Sequence, residues 1–330
     1  MSETTEHDDR SRSVPADGRT SHAQPQRDSI NLDSTIDSIE SKRALKEGER
    51  VRGDLKGQKA RGWTEKLITR TTSGAIYAIT ILVCLFLGPQ ATALLVAAMS
   101  WLCCSEFFRI VRMSGRMPNE VLGLAASVAF PISVLIHSAL LIFIIFVLVV
   151  AVGVWYVVTP RANIGDVAAT VFGPLYTGLM LSAVVLIRVC DAGVDGALLT
   201  FGVMGSVWIN DAFAYFVGSR LGRHRLAPRI SPNKSWEGLI GGIVGSLLIW
   251  VIMVIVGVRG ITLPLAILCG LASGVAGVIG DLVESRIKRG AGVKDSGNLM
   301  PGHGGLLDRS DSMIFGCMTA YFILLLGGIL

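Results

Sequence analysis

The sequence predicts an all-α protein: a polytopic integral membrane bundle of about nine transmembrane helices, preceded by a disordered polar tail. Three observations predict it. Of 330 residues, 51% are hydrophobic and only 17% charged, against about 25% charged in soluble domains. The charges are unevenly placed, because residues 1–70 hold 14 of the 30 Lys and Arg and 13 of the 25 Asp and Glu. Beyond them lie uncharged stretches of up to 40 residues, where a membrane-crossing helix needs about 20. Disorder is excluded for that part, and a water-soluble single core is not expected there. The net charge of +5 is modest; it reads as membrane topology, and no nucleic-acid partner is expected.

Residues 1–66 are Ser-rich, mixed in charge and without apolar periodicity. They cannot bury enough surface to offset chain entropy, so they are expected to be a disordered cytoplasmic tail, with weak helical character over 36–55. No apolar run opens the chain, so a cleaved signal peptide is not expected. Residues 67–330 form the membrane domain. Thr71 to Ser105 is uncharged and broken by Gly88-Pro89, giving two spans. Val121 to Pro160 is uncharged and broken near His137-Ser138, giving two more. Val167–Ile187, Gly196–Gly218, Gly238–Val258, Gly260–Gly280 and Ser312–Leu330 complete nine. With the N-terminus inside, the inner loops hold 14 Lys and Arg and the outer loops only Arg188 and Arg259. That asymmetry follows the positive-inside rule and places the C-terminus outside.

Gly238, Gly242 and Gly245 share one side of the seventh span, and Gly270, Gly274 and Gly277 one side of the eighth. Small residues at this spacing let helices approach closely, beneath a site or across a homodimer interface. The six cysteines form no CxxC pair. They are expected to pack as small apolar side chains rather than to bind zinc or form disulfides.

Two inner segments concentrate polar groups. In the second, Asp281, Glu284, Ser285 and Lys288 are spaced i, i+3, i+4, i+7 and share a face if the helix continues past Gly280. Lys288, Arg289 and Lys294 follow, then Pro301-Gly302-His303-Gly304-Gly305, then Asp308, Arg309 and Asp311. Glycines let backbone N–H groups turn toward an anion. Carboxylates suit Mg²⁺, and lysines suit phosphate oxygens. Asp281 and Asp308 are the leading metal ligands, with Asp311 next. Lys288 and Lys294 are phosphate-holding groups, and His303 is a further phosphate contact. In the first segment, Asp211 sits in an apolar run beside Asn210, where a lone carboxylate marks function or a helix–helix hydrogen bond. Ser231-Pro232-Asn233-Lys234-Ser235 reads as a turn, with Ser235 capping the next helix, Glu237 in its first turn and Lys234 holding a phosphate. No Walker A or GxGxxG unit is present.

These residues resemble a known family. Ser285-Arg-Ile-Lys-Arg, Lys294-Asp295-Ser-Gly297 and Pro301-Gly-His303-Gly304-Gly305-Leu-Leu-Asp308-Arg309-Ser-Asp311 resemble the C-terminal motif of phosphatidate cytidylyltransferases, with Met300 and Ser310 as small departures. Asn210-Asp211, Ser231 to Ser235 and Glu237-Gly238 resemble the family's second polar block. The resemblance covers roughly residues 71–330. It implies transfer of the cytidylyl group of CTP to phosphatidic acid, giving CDP-diacylglycerol and pyrophosphate. It implies Mg²⁺, with room for a second cation. It also implies a cytoplasmic-side site in the cell's inner membrane, using Ser231, Asn210, Asp211, Glu237, Ser285, Arg289, Gly304, Gly305 and Arg309 for substrate. Two other readings stay open: another lipid-phosphate nucleotidyltransferase or kinase, and a transporter with a cytoplasmic phosphate-binding gate. The polar groups gather at one side rather than at the midplane, which speaks against the transporter.

Overall fold

The computed structural model describes residues 40–49, 71–297, 299 and 304–330. The chain divides into two units, Met1–Gly62 and Trp63–Leu330. In the first, residues 40–49 form an exposed helix, within the helical stretch expected over 36–55. The rest of the tail expected to be disordered lies outside the described residues.

Each expected apolar run is helical. In chain order these are α1 (Thr71–Leu87), α2 (Pro89–Met113), α3 (Glu120–Val134), α4 (Leu140–Val158), α5 (Ile164–Pro174) and α6 (Met180–Arg188). Then come α7 (Val194–Leu221), α8 (Trp236–Val256), α9 (Leu263–Gly290) and α10 (Leu307–Leu326). Pro174 has no N–H to continue the ladder, and the turn that follows it widens to a π-helix over Leu175–Leu179, so α5 and α6 form one rod. Among the described residues seven helical rods are long and apolar enough to cross a membrane, while α1 and α3 are shorter. Nine crossings would need those two as well.

Helix ends follow local chemistry. Gly88 at φ 129 separates α1 from α2, whose first turn carries Pro89. Asn163 and Asp166 form a reciprocal capping box on α5. Ser235 accepts the Gly238 N–H at the start of α8, as expected, and Gly257 ends that helix in the left-handed conformation. The connection before α8 departs from expectation. Ser231–Ser235 is a strand, β2, paired antiparallel with β1 (Arg225–Ala227), so the turn falls at 228–230 instead. Pro232 is tolerated because a two-stranded ribbon leaves N–H positions unpaired on its outer edge.

The exposed surface is the kind a bilayer would solvate. Only Leu148 and Val152 of the 19 residues of α4 are buried, while Ile142, Phe143, Phe146 and Val157 are exposed. Soluble proteins rarely expose contiguous apolar patches beyond a few hundred Å². At the far end of α7 from the ribbon, the buried Arg188 donates to the carbonyls of Leu85 and Ala192, at 2.9 and 3.2 Å. Arg259 donates to the Ile329 carbonyl. Both arginines of the sparse side are thus committed to structure.

The glycine stripes are used within the chain. A Cβ at Gly242 would press on Asn210 of α7, and one at Gly270 on Leu247 of α8. A homodimer would therefore need another face. The six cysteines are free, and four of them are buried.

Candidate active site

Hydropathy ends the eighth span at Gly280, but α9 stays helical to Gly290. The four polar residues beyond Gly280 therefore form i,i+4 pairs. The Ser285 hydroxyl donates to Asp281 Oδ1 at 3.2 Å, and Lys288 Nζ lies 2.6 Å from Glu284 Oε2. The expected single face divides. Asp281 and Ser285 line a cavity, whereas Glu284 is fully buried. Helix α10 starts at Leu307, before the uncharged run, so Asp308, Arg309 and Asp311 stand in its first turns, where the helix dipole favours acids. A Cβ on Gly280 would overlap the Asp311 carbonyl. Only a glycine permits this crossing, and it sets Asp281 and Asp311 on one wall.

The cavity has a volume of about 710 Å³. Its acids are Asp211, Asp281, Asp295, Asp308 and Asp311, and its bases are Arg225, Lys234, Lys288, Arg289, Lys294 and Arg309. Lys234, at the end of β2, reaches across to Asp281 Oδ2 at 2.6 Å. Asp211 accepts the Ser312 hydroxyl at 3.2 Å. Asp308 is more committed. It pairs with Lys288 at 2.6 Å and accepts the N–H groups of Ser296 and Gly305, each at 2.9 Å.

Other expected site residues lie elsewhere. Asn210 is buried among α7, α8 and α9 with both amide atoms unpartnered. It does not line the cavity, whereas its neighbour Asp211 does. Glu237 accepts the His224 N–H and sits 2.7 Å from His224 Nδ1, fastening the ribbon to α8. Ser231 pairs with Ala227 in the ribbon. Gly304 has φ +87, and Gly305 packs against Ser296 and Glu106. His303 lies outside the described residues. Sequence reasoning gave no site role to Arg225 and Asp295, which line the cavity, or to Glu106 and Arg109, which contact the segment carrying Lys294.

Among the described residues no three His, Cys, Asp or Glu side chains already enclose a metal position. Mg²⁺ does not require that; it is usually held by one or two carboxylates with substrate phosphates and water completing its shell. Asp281 and Asp311 on one wall, with Asp211 on the same cavity, fit that mode with hard oxygen donors.

A charged cavity opening from an apolar helical bundle marks a polytopic membrane protein. Comparison with known proteins then supplies the family. A model of the cytidylyltransferase family matches residues 68–326, and the chain belongs to that family. Among similar proteins named phosphatidate cytidylyltransferase, one from Synechocystis is 33% identical over 272 residues, 73% of this chain and 91% of that protein. One from Bacillus subtilis is 42% identical over 161 residues, 49% of this chain and 59% of that protein. One from Thermotoga maritima is 40% identical over 138 residues, 40% of this chain and 50% of that protein.

Proposed function

We propose that the chain is a phosphatidate cytidylyltransferase, making CDP-diacylglycerol and pyrophosphate from CTP and phosphatidic acid. Family membership gives the reaction class. The observation that carries the rest is the cavity itself: six bases interleaved with five acids at the end of a lipid-facing bundle. A water-soluble polyphosphate and a lipid headgroup can meet there.

An oxygen of the phosphatidate phosphate attacks the α-phosphorus of CTP. A new P–O–P bond forms, the bond from the α-phosphorus to the oxygen bridging to the β-phosphate breaks, and pyrophosphate leaves. The nucleophile is already ionised, so no strong base is needed. The barrier is repulsion between two polyanions, which fixed cations lower. Lys234 and Lys294, both lining the cavity, hold phosphates, and Arg289 and Arg309 add charge around the leaving pyrophosphate. Asp281 and Asp311 would hold Mg²⁺, with Asp211 adjoining. An ion held there would neutralise charge on the phosphate oxygens. Asp308, expected beside Asp281 as a metal ligand, is taken up by Lys288 and two backbone N–H groups, and we assign it instead to holding Lys288 toward the phosphates. A second cation would draw on the same acids.

The topology we assign has nine crossings, with the tail and the site on the cytoplasmic side of the cell's inner membrane. The 14-to-2 distribution of Lys and Arg supports it. Residues 1–66 are a tail dispensable for chemistry, and 67–330 are the catalytic domain. Deleting residues 1–60 is expected to leave turnover in detergent largely intact; loss of most turnover in folded protein would contradict the division.

Pyrophosphate release by purified protein, dependent on both CTP and phosphatidic acid, tests the reaction. Release without lipid, or none with both substrates, would oppose it. Lys234→Ala is expected to lower kcat/KM for CTP by ~10–10²-fold, the size of one lost charged hydrogen bond. Unchanged rates across CTP concentrations would remove Lys234 from the phosphate site.

A further inference from the structure

Helix α10 has no cap of its own. Its N-cap residue is Leu306, whose side chain cannot accept a hydrogen bond. The acceptor comes from α2 instead. Glu106, buried at 8% exposure, accepts the Leu306 N–H at 3.1 Å on Oε1 and the Leu307 N–H at 2.8 Å on Oε2. The same Oε2 accepts the Ser296 hydroxyl at 2.9 Å. One turn along α2, Arg109 donates to the Ser296 carbonyl. Glycine stands on both sides of the carboxylate, at 297 and 305, and a Cβ at either position would overlap its oxygens.

A buried carboxylate is costly unless donors satisfy it, and here three donors from two separated strands of chain converge on one group. Those strands flank the cavity. Ser296 adjoins Lys294 and Asp295, while Leu307 precedes Asp308 and Arg309. Resting on the function proposed above, we infer that Glu106 is a positioning residue for the reaction. It does not line the cavity, and it fixes where the Lys294 segment and the first turns of α10 stand relative to the wall formed by Asp281.

Glu106→Gln tests this, because the size is kept while one acceptor becomes an NH₂ that must face a donor. Misplacement by ~1 Å of groups aligned for reaction costs about 10²-fold in rate. The expected result is a fall in kcat of that order per folded molecule, with KM for CTP rising by a smaller factor, since Lys294 is displaced while Lys234 on β2 keeps its place. Amide exchange in a peptide covering 304–312 is expected to quicken, with peptides from α7 and α8 unchanged. Ser296→Ala, which leaves the carboxylate and both backbone contacts, is expected to shift both readouts the same way by less, and the double variant to lose less than the sum of the two. If Glu106→Gln fails to fold, Ser296→Ala carries the test alone. A normal kcat per folded molecule, or unaltered exchange over 304–312, would overturn the inference. Failure of the wild-type protein to turn over CTP would count against the proposed function and not against this contact.

Discussion

Asp281→Asn is expected to lower the rate of pyrophosphate release by ~10²–10³-fold, the scale seen when a group facing transition-state charge is removed, while the protein still folds and inserts. Two roles are available to this carboxylate. It pairs with Lys234 at 2.6 Å, with Asp281 33% and Lys234 21% exposed. A partly exposed pair of that kind contributes ~0–1 kcal/mol, so if the pair were its whole role, asparagine would cost little. The other role is to face the reacting phosphates from the wall that α9 shares with α10, where Gly280 allows Asp311 to come close. Asparagine keeps the shape and removes the charge that would hold Mg²⁺. Asp311→Asn is expected to follow Asp281→Asn. Steady-state release measured over a range of Mg²⁺ separates the roles: rates near normal at ordinary Mg²⁺ would leave Asp281 as an ion-pair partner only.

Lys288→Ala is expected to act on stability as well as rate. Lys288 Nζ lies 2.6 Å from both Glu284 and Asp308, whose side chains are 0% and 7% exposed. Removing the one cation between two buried acids leaves uncompensated charge, which costs ~3–5 kcal/mol. That is a large part of the ~5–15 kcal/mol that holds a domain folded. The thermal midpoint in detergent should fall well below that of the wild type. Adding Glu284→Gln removes one stranded charge and should recover much of the midpoint without restoring turnover. An unchanged midpoint for Lys288→Ala would mean that the triad stabilises little. Recovery of turnover in the double variant would mean that Lys288 has no part in holding phosphate.

The bundle was legible because hydropathy reports what lipid demands. Each uncharged run became a helix, and Gly88-Pro89 broke the first pair. Hydropathy could not give the helix ends. Helix α9 runs to Gly290 and α10 begins at Leu307 because polar residues at a bilayer's edge can stay helical. The acids and bases from Asp281 to Asp311 announced the cavity through their density in an otherwise uncharged half. Lys234 and Asp211 joined them through tertiary packing. Glu106 was hidden for the opposite reason. It closes a 35-residue uncharged run and reads as a loop charge, and its partners lie about 190 to 200 positions away. Of the adjacent pair Asn210 and Asp211, only Asp211 lines the cavity, a distinction that sequence adjacency does not show.

The most direct test of the function follows the phosphorus atoms. Purified protein in vesicles containing phosphatidic acid is given CTP labelled at either the α- or the γ-phosphate, and the lipid is extracted and counted. Cytidylyl transfer predicts that α-label enters the lipid and comigrates with CDP-diacylglycerol, while γ-label leaves entirely as pyrophosphate. Entry of γ-label into the lipid, or passage of label into the vesicle lumen with none in lipid, would contradict it.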